Sequence, residues 1–105
     1  MKLVEKRILE SIEQNITIIL STPKGSDPHR PEFGSDINTF VDLPLTVITA
    51  GKIKAEIKEA IERWEPRVSV NSCEVRKVGT EAKLVIDLDI YVKELGQSVN
   101  TSLWV

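Results

Sequence analysis

Residues 83–92 carry the pattern that most constrains the fold of this chain. Apolar side chains occupy every second position: Leu84, Ile86, Leu88, Ile90 and Val92. Asp87 and Asp89 fall between them. A period of two places the apolar side chains on one face of a β-strand. Such a strand needs neighbours in a sheet and a second layer over its apolar face.

Two flanking segments predict the neighbouring strands. Residues 68–78 also alternate, but their phase slips after Val70, which indicates a bulge near residues 71–72. Residues 99–105 alternate again up to the chain end. Turns are predicted in the two intervening segments, residues 79–81 and 94–97. The sequence therefore predicts an antiparallel β-meander of about three strands.

The second layer is predicted to come from two amphipathic helices. In residues 3–20 the apolar stripe recurs at three- and four-residue spacing: Val4, Ile8, Ile12, Ile16 and Ile19. In residues 49–64 the stripe is Ile53, Ile57, Ile61 and Trp64. Pro23 and Pro66 end the helices, because proline disfavours helical geometry in the residue before it. The predicted class is α+β in a single domain, residues 1–105: an N-terminal helix, a long loop, a second helix and the meander.

The long loop, residues 21–36, holds three of the five prolines of the chain. A loop of this length inside a compact domain is often functional. We expect Phe33 to fill an edge of the core and Gly34 to take a positive φ angle. A further interpretation is that Arg30 and Glu32 fix the loop for a partner.

The junction between the second helix and the first strand is Glu65-Pro66-Arg67. One interpretation is a helix stop with a salt bridge. The other is that Glu65 and Arg67 face one way across Pro66, with the planar guanidinium of Arg67 offered to a carboxylate or to carbonyl groups of another chain. The residues alone favour the salt bridge.

Composition excludes several classes of function. Fourteen basic and sixteen acidic residues give a net charge of −2, which argues against nucleic acid as a partner, since that requires a basic patch. No apolar run approaches the roughly 20 residues that cross a bilayer, so no membrane partner is expected. The N-terminus lacks a signal-peptide apolar region, and the single Cys73 fits a reducing compartment. We therefore expect a cytoplasmic product.

Catalytic and metal sites are not predicted. His29 is the only histidine and lies 44 residues from Cys73, so no metal-ligand spacing is present. The serines lack a base and an orienting group. Glu32 and Glu65 adjoin Phe33 and Pro66, and a structural or binding role is favoured for both over acid–base work. The sequence predicts no catalytic residue, no metal and no cofactor.

Three segments together resemble a known family: residues 19–25, Arg30-Pro31-Glu32-Phe33-Gly34-Ser35 and Trp64-Glu65-Pro66-Arg67-Val68. Their order and separation resemble the sheath-initiator, or baseplate wedge, family of contractile tails. That family includes baseplate components of T-even phages and of type VI secretion. The resemblance covers roughly residues 8–92. Residues 26–29 depart from many relatives, which leaves open which baseplate architecture the chain serves.

The resemblance implies a structural subunit rather than an enzyme. Glu65, Pro66 and Arg67 would dock on the helical core of the wedge, and the strands from Val68 onward would offer an open edge to an arm of the sheath. The implied partners are the tail sheath protein and the baseplate wedge proteins, with tail-tube or hub-proximal proteins as further candidates. The implied location is the tail baseplate of a phage or phage-derived particle, made in the bacterial cytoplasm.

Two alternatives stay open at this point. A lysozyme-like peptidoglycan hydrolase would need two convergent carboxylates beside a sugar-sized cleft. A small soluble adaptor unrelated to tails would need neither. Under the docking interpretation, Arg67→Ala leaves the fold largely intact and impairs docking.

Overall fold

A computed structural model describes residues 3–41, 43–78 and 83–104. The turn predicted at residues 79–81 and the last residue of the predicted final strand lie outside these ranges. The elements in chain order are α1 (Leu3–Ser21), α2 (Asn38–Val41), α3 (Val47–Trp64), β1 (Val68–Val78), β2 (Lys83–Val92) and β3 (Gln97–Trp104). The predicted α+β class, with helices before an antiparallel meander, is confirmed.

The strands form one antiparallel sheet in the order β1-β2-β3. The five alternating apolar residues of β2 are all buried, as the period of two predicts. The register of β1 on β2 shifts between Val70 and Ser72, which confirms the predicted bulge. Val85 lies on the opposite face of β2, beside Trp104 of β3, and is also buried. The outer face of the sheet is therefore not wholly polar.

The two edges of the sheet differ. Beside β1, the backbone N–H of Val70 donates to Oε2 of Glu62 on α3 at 3.1 Å, and Lys54 of α3 lies 3.1 Å from Glu74. Helix α3 thus already engages the β1 side. No group outside β2, among those that the structure describes, hydrogen-bonds to the β3 backbone. The β3 edge is the more open one.

Helix α1 covers the core with the predicted stripe, displaced toward its C-terminal end. Its buried residues are Leu9, Ile12, Ile16, Ile19 and Leu20. Val4 was predicted to be part of the buried stripe, but its side chain is 67% exposed. The neighbouring Leu3 is exposed too, because the first turn of α1 extends past the layer that the helix covers. Periodicity fixes the phase of a stripe and not where the core beneath it ends.

Helix α3 begins two residues before the predicted Thr49. The hydroxyl of Thr46 accepts a hydrogen bond from the backbone N–H of Thr49 at 3.1 Å and caps the helix. Its stripe is buried as predicted, apart from Trp64, which is half-buried. No described helix combines the length and the apolar content needed to cross a membrane.

Candidate functional site

The fold brings together the two motifs that the sequence singled out. The Glu32 carboxylate pairs with the Arg63 guanidinium at the C-terminal end of α3. The ring of Phe33 packs edge-on against Trp64, with centroids 5.1 Å apart and an interplanar angle of 79°. Residues more than 30 positions apart in sequence therefore share one surface. We call this surface the corner site and define it as Arg30, Glu32, Phe33, Gly34, Glu65, Pro66 and Arg67.

Glu65 is the anchor of the corner site. Only 3% of it is exposed. The guanidinium of Arg67 donates two hydrogen bonds to the Glu65 carboxylate, from Nε to Oε1 at 2.7 Å and from Nη2 to Oε2 at 2.8 Å. Asn15 of α1 donates to Oε2 at 3.0 Å, and Nη2 of Arg67 also donates to Ser11 Oγ at 3.3 Å. The carboxylate therefore joins the α3–β1 junction to α1 through charge-assisted hydrogen bonds.

These contacts keep Glu65 ionised. The hydrogen bond from Arg67 is the largest influence and lowers the pKa of Glu65; burial acts in the opposite direction, and Asn15 adds to the lowering. The same bond raises the pKa of Arg67. A general acid requires a carboxyl whose pKa is raised toward neutral. The environment of Glu65 instead lowers the pKa of its carboxyl group.

The lowered pKa of Glu65 predicts acid sensitivity. As the pH falls below the ordinary value of 4.5, the unfolded chain takes up a proton that folded Glu65 resists. The free energy of unfolding therefore falls with pH in this range. We expect Glu65→Gln to flatten the dependence, measured by urea unfolding between pH 3 and 6. The flattening is partial, because the backbone N–H of His29 also lowers the pKa of Asp27.

Glu13→Gln is the matched control for this titration, because Glu13 lies on the same helix that contacts Glu65 but is exposed. In this variant the free energy of unfolding should depend on pH with the same slope as in wild type. An unchanged slope in Glu65→Gln would contradict the assignment of this acid sensitivity to Glu65.

Gly34 allows the long loop to close onto α1. Its φ is +108°, as the sequence predicted, and an added Cβ would lie 2.1 Å from the carbonyl oxygen of Thr22. The next residue, Ser35, donates its N–H to that carbonyl at 2.9 Å and its hydroxyl to the carbonyl of Leu20 at 3.0 Å. Only glycine fits so close an approach at a positive φ. The loop is thereby fixed at the C-terminal end of α1.

Arg30 holds the other side of the loop. Its Nε donates to Oδ2 of Asp27 at 3.1 Å, and its guanidinium lies 4.1 Å from the centroid of the Phe33 ring. His29 is exposed, and its backbone N–H donates to Asp27. Arg30 and Glu32 therefore both help to hold the loop, through Asp27 and Arg63 respectively.

A cleft of about 260 Å³ opens beside the corner site. It is lined by Asn15, Ile18, Ile19, Arg30, Phe33 and Trp64. The indole Nε1–H of Trp64 is buried and has no hydrogen-bond partner among the described residues. A buried donor left unpaired costs about 1–3 kcal/mol. Trp64 lines the cleft with other atoms, because this N–H is enclosed by the protein.

Sequence reasoning missed three contributors to this surface: Ser11, Asn15 and Arg63. Ser11 and Asn15 lie on α1, 56 and 50 residues respectively from the residues they bind. An asparagine beside the apolar stripe of a helix is a weak indication of a buried contact, because most such residues are solvated. Arg63, in the last turn of α3, had a clearer signal, since cations are favoured at helix C-termini.

The described residues offer little for metal or nucleophilic chemistry. They contain no group of three or more His, Cys, Asp or Glu residues placed to hold a metal ion. Cys73 is half-buried, and burial raises the pKa of its thiol to about 11. The thiol form therefore dominates at neutral pH, and thiols are poor nucleophiles.

Comparison with known proteins places this surface in context. Residues 6–96 match the family model described as baseplate wedge protein gp25. The chain is 31% identical to the baseplate wedge protein gp25 of Enterobacteria phage T4 over 80 residues, 76% of this chain. It spans only 61% of the T4 protein's length. It is 30% identical over 95 residues to baseplate protein W of Escherichia phage P2, covering 90% of this chain and 82% of that protein.

Solved structures share the fold. A Geobacter sulfurreducens protein, provisionally named a tail lysozyme, superposes with a TM-score of 0.79 at 33% identity, over 93% of this chain and 89% of that one. A chain of the postcontracted pyocin R2 baseplate gives 0.62 at 27% identity, over 91% and 82%. A chain of the type VI secretion baseplate complex gives 0.69 over 96% of both chains; at 19% identity this likeness shows the fold alone.

The matched region contains every residue of the corner site, together with α1 from residue 6 onward, α3, β1 and β2. The resemblance read from the sequence is thus confirmed by the family match and by both phage relatives. This chain belongs to the baseplate wedge protein gp25 family, and it is a component of a contractile-tail baseplate.

Proposed function

We propose that this chain is a non-enzymatic structural subunit that bridges two neighbours in the baseplate. Its corner site docks on wedge proteins, and its sheet accepts a strand from the tail sheath protein, so that sheath assembly begins on it. The observation that carries the docking half is the meeting of the two motifs at one surface, through the contacts Glu32–Arg63 and Phe33–Trp64.

Part of this surface is available to a partner. Arg67 is 28% exposed although Glu65 beneath it is buried, and Pro66 is exposed. The hydrogen bonds of Arg67 use Nε and Nη2, which leaves Nη1 without a bond to the described residues. A planar guanidinium fixed on one side by a carboxylate is a rigid donor for carbonyl or carboxylate groups of another chain.

The open β3 edge supports the sheath half of the proposal. Unpaired backbone groups along an edge strand are satisfied when an extended segment adds to the sheet. The α3 contacts beside β1 make β3 the better acceptor. The exposed Trp104 at the end of β3 lacks the charge that usually protects an edge.

A non-enzymatic role also fits the chemistry of the carboxylates. Both phage relatives are named as baseplate proteins, whereas the Geobacter sulfurreducens structure is provisionally named a tail lysozyme. Glu65 is held ionised by Arg67, and Glu32 is exposed and paired with Arg63. This arrangement disfavours the acid that a glycosidase needs.

Docking is tested by co-purifying the chain with the sheath and wedge proteins of the same particle. Wild type should capture both. Arg67→Gln keeps an amide donor for Glu65 but loses the guanidinium, so it should lose the wedge proteins and keep the sheath protein. Arg76→Gln is the control, because Arg76 is an exposed arginine on β1. Failure of a folded wild type to capture either neighbour would refute the proposal.

Strand addition is tested by disulfide cross-linking. In a Cys73→Ser background, Asn100→Cys places a thiol on β3 and Glu74→Cys places a control thiol on β1; both native side chains are exposed. Single cysteines are then scanned along the terminal arms of the sheath protein. Opposed Cβ atoms of paired strands lie about 4.5–5.5 Å apart, and neighbouring strand residues face opposite sides. Cross-links to residue 100 should therefore concentrate at one arm position, and the two arm residues adjacent to it, which face the opposite side of the sheet, should not cross-link.

Cross-links that form at residue 74 instead would show that the sheath strand adds beside β1 and not beside β3. An assembled sheath that cross-links to neither position would rule out strand addition while leaving wedge docking intact.

A further inference from the structure

The cleft beside the corner site contains an exposed guanidinium. Arg30 uses only Nε in a hydrogen bond, to Asp27, and its side chain is 55% exposed. The carboxylates of the loop are already engaged, since Asp27 binds Arg30, and Glu32 binds Arg63. Guanidinium N–H groups without acceptors favour an occupant that brings acceptor oxygens.

The rest of the lining is apolar. Phe33 is half-buried, Ile19 is buried, and Ile18 is 47% exposed at the α1 side of the cleft. An aliphatic side chain beside the acceptor group would cover Ile18 and exclude water from it. Anchors of protein interfaces characteristically combine a desolvated pocket with arginine and tryptophan side chains.

The size of the cleft narrows the class of occupant. Small-molecule sites typically measure about 300–1,000 Å³, and this cleft measures about 260 Å³. One protruding side chain with its neighbour fits within such a volume. The cleft is also continuous with the corner site, because Asn15 both lines it and binds Glu65.

We propose that the cleft between α1, the long loop and the end of α3 receives a carboxylate side chain, with an adjacent aliphatic residue, from a wedge protein of the baseplate. Arg30 donates to the carboxylate, and Ile18 and Phe33 pack on the aliphatic neighbour. This inference rests on the proposed function, since it names the chemistry of the partner at the same surface.

The direct probe is fluorine NMR of the full chain labelled with 5-fluorotryptophan and titrated with purified wedge protein. Its two tryptophans, Trp64 and Trp104, give two signals, assigned with Trp104→Phe. Binding should shift the Trp64 signal. The Trp104 signal should stay in place, since Trp104 is an exposed residue of β3.

Matched variants measure the contribution of the cleft to the dissociation constant. We expect Arg30→Ala and Ile18→Ser each to weaken wedge binding by about tenfold or more. Arg76→Ala and Ile48→Ser are the controls, one an exposed arginine on β1 and the other an exposed isoleucine on α3. Both controls should stay within about twofold of wild type.

The partner's contribution is found by replacing its acidic residues one at a time with the amides. One replacement should reproduce the loss seen in Arg30→Ala and add nothing further in that background. If Arg30 and Ile18 matter but no partner carboxylate does, the assigned chemistry is wrong. If wedge protein binds with an unmoved Trp64 signal and wild-type affinity in both cleft variants, the cleft is not used, and the proposed function stands. If folded wild type binds no wedge protein, both fail.

Discussion

Gly34→Ala is expected to lower the free energy of unfolding by about 3–4 kcal/mol, near the upper end for single substitutions. The added Cβ would lie 2.1 Å from the carbonyl oxygen of Thr22 at a φ of +108°. That oxygen is backbone and accepts the hydrogen bond from Ser35, so it cannot yield without opening the loop. Urea unfolding followed by circular dichroism measures the loss.

Gly25→Ala separates the two causes of that loss. Gly25 lies in the same loop at a φ of +87°, but no atom lies within 4 Å of its added Cβ. Only the left-handed backbone then contributes, at a cost of about 1–2 kcal/mol. Equal losses in the two variants would show that the approach of Gly34 to Thr22 contributes nothing.

The second large effect is expected from Arg67→Ala, at about 2–4 kcal/mol. The substitution leaves the Glu65 carboxylate, which is 97% buried, without its charged partner. Asn15 is then its remaining side-chain donor. The partial exposure of Arg67, 28%, sets the estimate toward the lower part of the range for buried ion pairs. The expectation from the sequence was a variant with its fold largely intact. The network around Glu65 predicts a loss of stability as well.

A double-mutant cycle tests that reasoning. In a Glu65→Gln background Arg67→Ala leaves no unpaired carboxylate at residue 65, so it should cost at least about 1 kcal/mol less than it does in wild type. Arg76→Ala serves as the reference, because Arg76 and Asp87 form an exposed pair and its loss should stay within about 0.5 kcal/mol. Additive losses at Glu65 and Arg67 would contradict the coupling.

Local patterns were sufficient for most of the fold. The alternation in β2, the phase slip in β1 and the stripes of both helices are set by residues close in sequence. Gly34 was predicted correctly because a glycine before Ser35 in a proline-rich loop has few other uses. The start of α3 was misplaced because its first turn, Val47 and Ile48, is exposed and so does not follow the buried stripe.

The site was less predictable, for a physical reason. The two motifs meet through Phe33 and Trp64, but the contacts of Glu65 involve Asn15 and Ser11, which approach only when α1 packs on the junction. Contacts across 50 or more residues leave no periodic trace in one sequence. The cleft is hidden from sequence reasoning for the same reason, since α1, the loop and α3 each supply part of its lining.

The closed long loop has a consequence for affinity. Its backbone is fixed before any partner arrives, by the bonds from Gly25 to Pro31 at 2.8 Å, from Phe33 to Arg30 at 3.0 Å and from Ser35 to Thr22 at 2.9 Å. Ordering a residue's backbone costs about 1–2 kcal/mol in conformational entropy, and here folding has already met that cost. Under the proposed function, association would resemble rigid-body docking of a preorganised surface. A substitution that loosens the loop should weaken binding without removing a single intermolecular contact.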